Sequence, residues 1–238
     1  MDEYWRVVGP TIPEDHTDQY TSWRLAKETW RKGVDLKVLD LGCGDGRGVD
    51  FFRSIDPQVD YTGVDIDHSP EVDSRRRHDA RFDTFDGVNL PYPDASFDMV
   101  FSHQVFEHVA NPLSLLRSIA RVLRPNGHFV GSASQLEPYH SFSYWNYTLY
   151  GWSKLLEAAG MGVLEYRPGI DGLTLMHRSL DGRKERYAKY FASESPFNKR
   201  IERQMRRQKA SVKQIVHRKV AYSGHLIFKA AKRDGEPA

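Results

Sequence analysis

Residues 38–48 read VLDLGCGDGRG, and the fold turns on how they are read. The apolar run VLDL has the character of a buried strand, and Gly42, Gly44 and Gly46 follow at its carboxyl end. Glycine tolerates positive φ and close backbone approach, so a ligand can lie directly on such a turn. A strand, a glycine turn and then a helix form a nucleotide-site geometry, with the ligand at the carboxyl ends of the strands. The spacing departs from the dinucleotide pattern G-x-G-x-x-G, because Arg47 stands where the third glycine would be. About twenty residues on, YTGVDI (61–66) reads as a second strand ending at Asp65, whose carboxylate can accept both hydroxyls of a ribose.

Working outward, strand-like and helix-like segments alternate, the signature of a parallel sheet covered by helices. FDMVFS (97–102) is a strand. PLSLLRSIARVL (112–123) is a helix with Leu115, Leu116, Ile119, Val122 and Leu123 on one face. Pro112 suits its first turn and RPNG (124–127) its end. HFVGSA (128–133), VLEY (163–166) and VAYSGHLIF (220–228) are further strands, and Gly160 caps the helix before VLEY. No repeat or low-complexity linker interrupts the chain. The expected organisation is one domain over 1–238. An N-terminal cap helix lies within 1–33 and the core spans 34–170, followed by a basic helical insertion at 171–219 and a last strand within 220–232.

Composition narrows the class. With Cys43 as its single cysteine the chain can form no internal disulfide, which suits a reducing compartment. It shows no signal-like apolar run and no stretch of about 18 uncharged apolar residues, so a cytoplasmic location is expected. The net charge of +2 hides an asymmetry. Residues 183–219 carry 13 Lys/Arg against 3 Glu, a local +10 that leaves −8 elsewhere.

Four blocks in order, VLDLGCGDGRG, YTGVDID, FDGVNLPYPDASFDMVFSHQVFEHV and SIARVLRPNGHFVGSAS, carry a resemblance covering roughly residues 37–134. The chain resembles the class I S-adenosylmethionine-dependent methyltransferases, in the methyltransferase-11 group. The resemblance implies an α/β fold: a doubly wound, mostly parallel seven-stranded sheet, Rossmann-like, with a helical insertion before the last strand. It implies S-adenosyl-L-methionine as methyl donor and S-adenosyl-L-homocysteine as product. It further implies that Gly42, Cys43 and Gly44 line the methionine part, with Asp40 supporting its amino group. Asp65 would hold the ribose hydroxyls and Ile66 would pack on the adenine. Asp86, with Gly87 beside it, would meet the adenine amino group, and Ser102 and His103 would lie near the reactive methyl.

Methyl transfer from a sulfonium is an in-line displacement, so the protein supplies alignment and, for an alcohol, a base. Two histidines fall where the topology puts the methyl, His103 after the fourth strand and His140 after the fifth. His140 has three readings: base, hydrogen-bond partner of the acceptor, or structural residue. The segment SHQV lacks the Asn/Asp-Pro-Pro-Tyr/Phe grip of amino-group methyltransferases acting on nucleobases and glutamine. Glu107 and His108 are read as helix-start and packing residues. No ligand spacing marks a metal site, so no metal residue is assigned, and whether a metal is needed stays open. The stretch EPYHSFSYWNYTLYGW (137–152) divides. Tyr147, Tyr150 and Trp152 are expected in the core, whereas Tyr139, Phe142, Tyr144 and Trp145 are expected to wall an acceptor site suited to a saccharide or another hydroxylated small molecule. A quinone, a lipid or an RNA ribose is the rival acceptor, and a non-catalytic cofactor-binding subunit is the rival function. In the basic insertion, Ile201, Met205, Val212 and Val216 form an apolar stripe and leave Lys199, Arg200, Arg203, Arg206 and Arg207 outside it. That surface is either a solvated helix face or a landing place for an anionic acceptor or membrane surface. No RNA-binding signature accompanies it.

Overall fold

A computed structural model describes residues 2–30 and 36–233. Seven strands form one sheet: β1 Lys37–Leu41, β2 Asp60–Asp65, β3 Arg81–Thr84, β4 Phe97–His103, β5 Leu123–Ser134, β6 Met161–Pro168 and β7 His225–Lys232. The helices are α1 Glu3–Val8, α2 Ser22–Thr29, α3 Gly48–Ile55, α4 Pro70–Ser74, α5 Pro112–Val122, α6 Leu149–Ala158, α7 Gly172–Leu180, α8 Lys189–Ala192, α9 Pro196–Arg207 and α10 Val212–Ala221. The strand order is β3-β2-β1-β4-β5-β7-β6, with β7 antiparallel to both of its neighbours and the other pairs parallel. The chain runs outward from β1 through β2 to β3 and then returns to place β4 on the other side of β1. That reversal opens a crevice at the carboxyl ends of β1 and β4, where ligands of open α/β sheets bind.

Each face of the sheet is covered by an apolar layer. On one face Leu25, Ala26 and Trp30 from the α2 segment and Val49 and Phe52 of α3 pack over Val38, Phe101 and Val130. On the other, α5 and α6 bury Leu115, Ile119, Trp152 and Leu156 against Leu39, Val100, Phe129 and Phe228. Trp152 is fully buried and meets Tyr147, Phe228 and Phe106 at ring-centroid distances of 4.8, 4.9 and 5.1 Å. No helix among the described residues is long and apolar enough to cross a membrane.

Several local expectations need correction. The last strand begins at His225 rather than at 220, because Val220 continues the buried face of α10 beside Val216. The N-terminal segment holds two short helices instead of one, separated by the stretch that carries Tyr20. The boundary expected at residues 33 and 34 lies outside the described residues. The insertion stripe is shared by two helices, Ile201 and Met205 on α9 and Val212 and Val216 on α10, and the Ser211 capping box starts the second. RPNG does not end in a free turn. The chain goes straight from α5 into β5, and Asn126, at φ 63°, sits in the irregular pairing between Phe97↔Leu123 and Met99↔His128.

Candidate active site

The glycine turn after β1 is built by its backbone. Gly42 and Cys43 donate their amides to the Val64 carbonyl of β2 at 2.8 and 3.3 Å, which folds the turn over the sheet. Gly42, Gly44 and Gly46 have φ of +73°, +48° and +86°, the region that favours glycine. Asp65 ties this turn to the end of β2, since its Oδ2 accepts from the Gly44 amide at 2.7 Å and its Oδ1 from the Ile66 amide at 2.8 Å. Burial raises its pKa, and these two amides act against the rise. Arg75 and Arg77 brace the turn from outside by donating to the Gly44 and Gly46 carbonyls at 3.2 and 3.0 Å. Neither arginine is signalled by the sequence motif.

The remaining cofactor candidates fall into three groups. Asp40 lies beneath the turn, fully enclosed, and accepts from the Tyr61 hydroxyl at 2.6 Å. Burial pushes its pKa up to about 7. One of its carboxyl oxygens is thus held by the scaffold. Cys43 is buried beside it, and burial raises its thiol pKa, followed by the charges of Asp40 and Asp65. Ile66 projects from the strand end with 43% of its surface exposed, and Gly87 backs it. Asp86 organises its own turn, accepting from the amides of Val88 and Asn89 and from the Asn89 side chain at 2.8, 2.6 and 2.7 Å; these bonds lower its pKa. The buried Ser102 hydroxyl at the end of β4 has no partner. A glycine cradle, a carboxylate at the end of β2, an exposed apolar side chain beside it and an orphan hydroxyl at the end of β4 together fit an adenosyl ligand with a charged amino-acid tail.

Next to the cradle, His103 sits at the end of β4. Its Nδ1 lies 2.8 Å from Ser22 Oγ of α2 and 3.1 Å from Ser132 Oγ of β5, and Trp23 stacks obliquely on its ring at 5.3 Å. It lines a cavity of about 270 Å³ together with Ser22, Trp23, Arg47, Phe191 and His225. Arg47, Phe191 and His225 were not anticipated as site residues, because they come from the turn, from α8 and from β7. Burial, then the charges of His225 and Arg47, pushes the His103 pKa from its ordinary 6.5 down to about 3. This gives an acid-stability prediction. The unfolded chain takes up a proton as pH falls through 6.5 while the folded imidazole stays neutral until about 3. The contribution is therefore complete above pH 6.5 and is lost progressively between 6.5 and 3. His103→Asn should flatten the pH dependence of chemical unfolding across that window, and an unchanged slope would exclude His103 as its source.

The aromatic stretch divides as expected except at Tyr150, which was expected in the core but turns its hydroxyl outward to Glu3. Tyr147 and Trp152 are buried, and Tyr150 is half-buried with its hydroxyl donating to Glu3 at 2.5 Å. Tyr139, Phe142, Tyr144 and Trp145 are 76, 81, 63 and 44% exposed. Four hydrogen bonds clamp their loop onto the turn after β4. The Tyr144 and Trp145 amides donate to the Glu107 carbonyl at 2.7 and 3.3 Å, Trp145 Nε1 donates to the Val109 carbonyl at 2.9 Å, and the Tyr147 hydroxyl donates to the Phe106 carbonyl at 2.8 Å. This brings His140 against His108, ring centroids 5.3 Å apart and planes at 89°. Glu137 lies beneath them. Its Oε2 accepts from Ser134 Oγ at 2.6 Å and pairs with His225 Nε2 at 3.3 Å. Burial alone would raise the Glu137 pKa, but His225, Ser134 and His140 bring it down to about 2.

Glu107 departs from the expected role. Helix α5 starts at Pro112, and Glu107 lies in the preceding 3₁₀ turn with no solvent exposure and its Oε2 unpartnered. Burial pushes its pKa up to about 7.

Comparison with known proteins agrees with this geometry. Residues 39–131 match the family model described as a methyltransferase domain. A probable S-adenosylmethionine-dependent methyltransferase of Mycolicibacterium smegmatis is 34% identical over 139 residues, 53% of this chain and 52% of that protein. A fatty-acid O-methyltransferase of the same organism is 31% identical over 177 residues, 72% of this chain and 61% of its own length. The chain thus spans between half and two thirds of these two relatives. Among solved structures, the 1,6-didemethyltoxoflavin-N1-methyltransferase of Burkholderia thailandensis, crystallised with S-adenosylhomocysteine, superposes with a TM-score of 0.54 at 20% identity, covering 90% of this chain and 79% of that one. Residues 39–131 thus form a methyltransferase domain, and the strand order and glycine turn agree with the S-adenosylmethionine-dependent relatives that the chain matches.

Proposed function

We propose that the chain is an S-adenosylmethionine-dependent O-methyltransferase acting on a hydroxyl of a saccharide or another hydroxylated small molecule. The observation that carries this reading is the set of histidines at one edge of the sheet: His103 at the end of β4, His140 in the loop after β5 and His225 at the start of the antiparallel β7. His140 and His225 flank Glu137 at 3.9 and 3.3 Å, His103 and His225 line one cavity with Arg47 of the glycine turn, and the loop that carries His140 also carries four exposed aromatic rings. An alcohol needs such groups to lose its proton, whereas a sulfonium methyl already carries a good leaving group. When bound, S-adenosylmethionine supplies an electrophilic methyl. The chain's residues do the rest. Asp65 and the glycine turn fix the donor, and Ser22, Trp23 and His103 close the cavity beside it. The aromatic loop presents the acceptor, and His140 takes the hydroxyl proton as the C–O bond forms and the C–S bond breaks. His103, held neutral, suits hydrogen bonding to the acceptor better than proton removal.

A cavity of about 530 Å³ in the insertion, lined by Arg186, Lys189 and Arg200 with Tyr187 and Phe197, supports an acceptor that carries an anionic group. The fatty-acid relative's name favours oxygen as the acceptor atom, and that relative is the weaker support. His140→Ala should lower turnover on the best substrate of a panel of sugar nucleotides, hydroxy fatty acids and phenols by roughly 10²–10⁴ while sparing S-adenosylhomocysteine affinity. Unchanged turnover would remove His140 from the chemistry.

A further inference from the structure

We infer that Glu107, His108 and His140 form a binding site for a divalent first-row transition cation at the acceptor end of the cleft. One ligand atom from each of the three lies within 4.8 Å of the other two. The four hydrogen bonds that clamp the aromatic loop to residues 106–109 fix this meeting of β4 and β5 loops, so the arrangement is built by the fold.

Two residues of the cluster also carry buried atoms without a partner. Glu107 is completely buried and its Oε2 has no hydrogen-bond partner, and the buried Nδ1 of His108 has none either. A buried carboxylate oxygen without a partner is costly, and a cation would satisfy it. His140 Nδ1 faces the Pro138 carbonyl at 3.3 Å, an arrangement that places the proton there and leaves the Nε2 lone pair free to ligate. Its neighbours are also held. With its amide nitrogen turned toward the carboxylates, Gln104 donates to Glu107 Oε1 at 3.2 Å and to Glu137 Oε2 at 3.1 Å, while its oxygen accepts from Ser132 Oγ at 3.0 Å. Gln104 thus shares Oε1, the Glu107 oxygen nearest His108, while Oε2 keeps no partner.

Two imidazoles and one carboxylate select zinc, manganese, iron(II) or cobalt over magnesium and calcium, which favour all-oxygen shells. Bonds of about 2.0–2.2 Å require donor atoms to sit about 3.0–3.5 Å apart, so side-chain rotations of roughly 1 Å close the site. His108 Nε2 and Glu107 Oε1 now stand 4.0 Å apart. Three protein ligands leave at least one position open. An acceptor hydroxyl there would be positioned and acidified by the cation. Its proton would leave to water as the C–O bond forms and the C–S bond breaks. His140 would then be a ligand in place of a base. This inference rests on the O-methyltransferase reading for its use, but the site itself can be tested without turnover.

The test is calorimetric titration of the chelator-treated, desalted full chain with Zn²⁺, with Co²⁺ absorption as a second readout. One cation per chain is expected. His140→Ala and Glu107→Gln should each weaken binding at least tenfold, and His140→Ala should leave S-adenosylhomocysteine affinity unchanged, which reports an intact fold. A native chain that binds S-adenosylhomocysteine but no cation overturns the site and leaves the methyltransferase reading standing. Cation binding unaltered in His140→Ala also overturns it. Failure to bind S-adenosylhomocysteine would instead strike the underlying reading.

Discussion

Asp65→Ala is expected to weaken S-adenosylhomocysteine binding at least about a hundredfold, read by calorimetry. Two effects add. The carboxylate at the end of β2 is the group placed to accept both ribose hydroxyls, and hydrogen bonds to a charged group contribute about 1.5–3 kcal/mol each. It also holds the Gly44 and Ile66 amides at 2.7 and 2.8 Å, so its loss frees the turn that cradles the methionine portion. Asp65→Asn keeps the shape and one acceptor oxygen, and should fall between the wild type and the alanine variant. Equal affinity in all three proteins would mean that the ligand does not lie on this turn.

Lys219→Met is expected to cost about 3–5 kcal/mol of folding stability. The Lys219 ammonium has no solvent exposure and donates to the Thr17 carbonyl at 2.7 Å and to Glu194 and Glu202 at 2.6 Å each. It therefore pins α10 to α9, to the segment before α9 and to the N-terminal segment. Glu194 and Glu202 keep about a quarter of their side-chain surface, so water relieves part of their repulsion once the ammonium is gone. The lower end of the range is the better expectation. For a chain of this size that corresponds to a fall in Tm of roughly 6–12 °C. Adding Glu194→Gln and Glu202→Gln to Lys219→Met should recover much of the loss, since the uncompensated carboxylates are its cause. No change in Tm would show that the cluster adds nothing to stability.

Contrasts between particular residues show what the sequence could reveal. Gly42, Gly44 and Asp65 were legible because their roles depend on local backbone geometry: a turn needing positive φ and a carboxylate at a strand end. The division of residues 137–152 was legible because Tyr147 and Trp152 lie on or beside a helix with an apolar face, while Tyr139–Trp145 lack that periodicity. Strand β3 escaped notice because RFDT is a four-residue edge strand, half-exposed and charged, with too little apolar pattern to stand out. Lys219 read as one more cation of a basic helix, and its partners lie 17, 25 and 202 residues away in sequence. Glu107 and His108 read as the start of a helix that begins at Pro112. Their meeting with His140 is made by hydrogen bonds across 30 and more residues. Asp40 read as a support for the donor's amino group, and its tie to Tyr61, 21 residues away, was not legible in the motif.

The central claim is that the crevice at the ends of β1 and β4 holds an adenosyl methyl donor. Calorimetric titration of the unaltered chain with S-adenosylhomocysteine tests it most directly. The account predicts saturable binding at one site per chain, competed by S-adenosylmethionine. No saturable binding by the folded chain would contradict it.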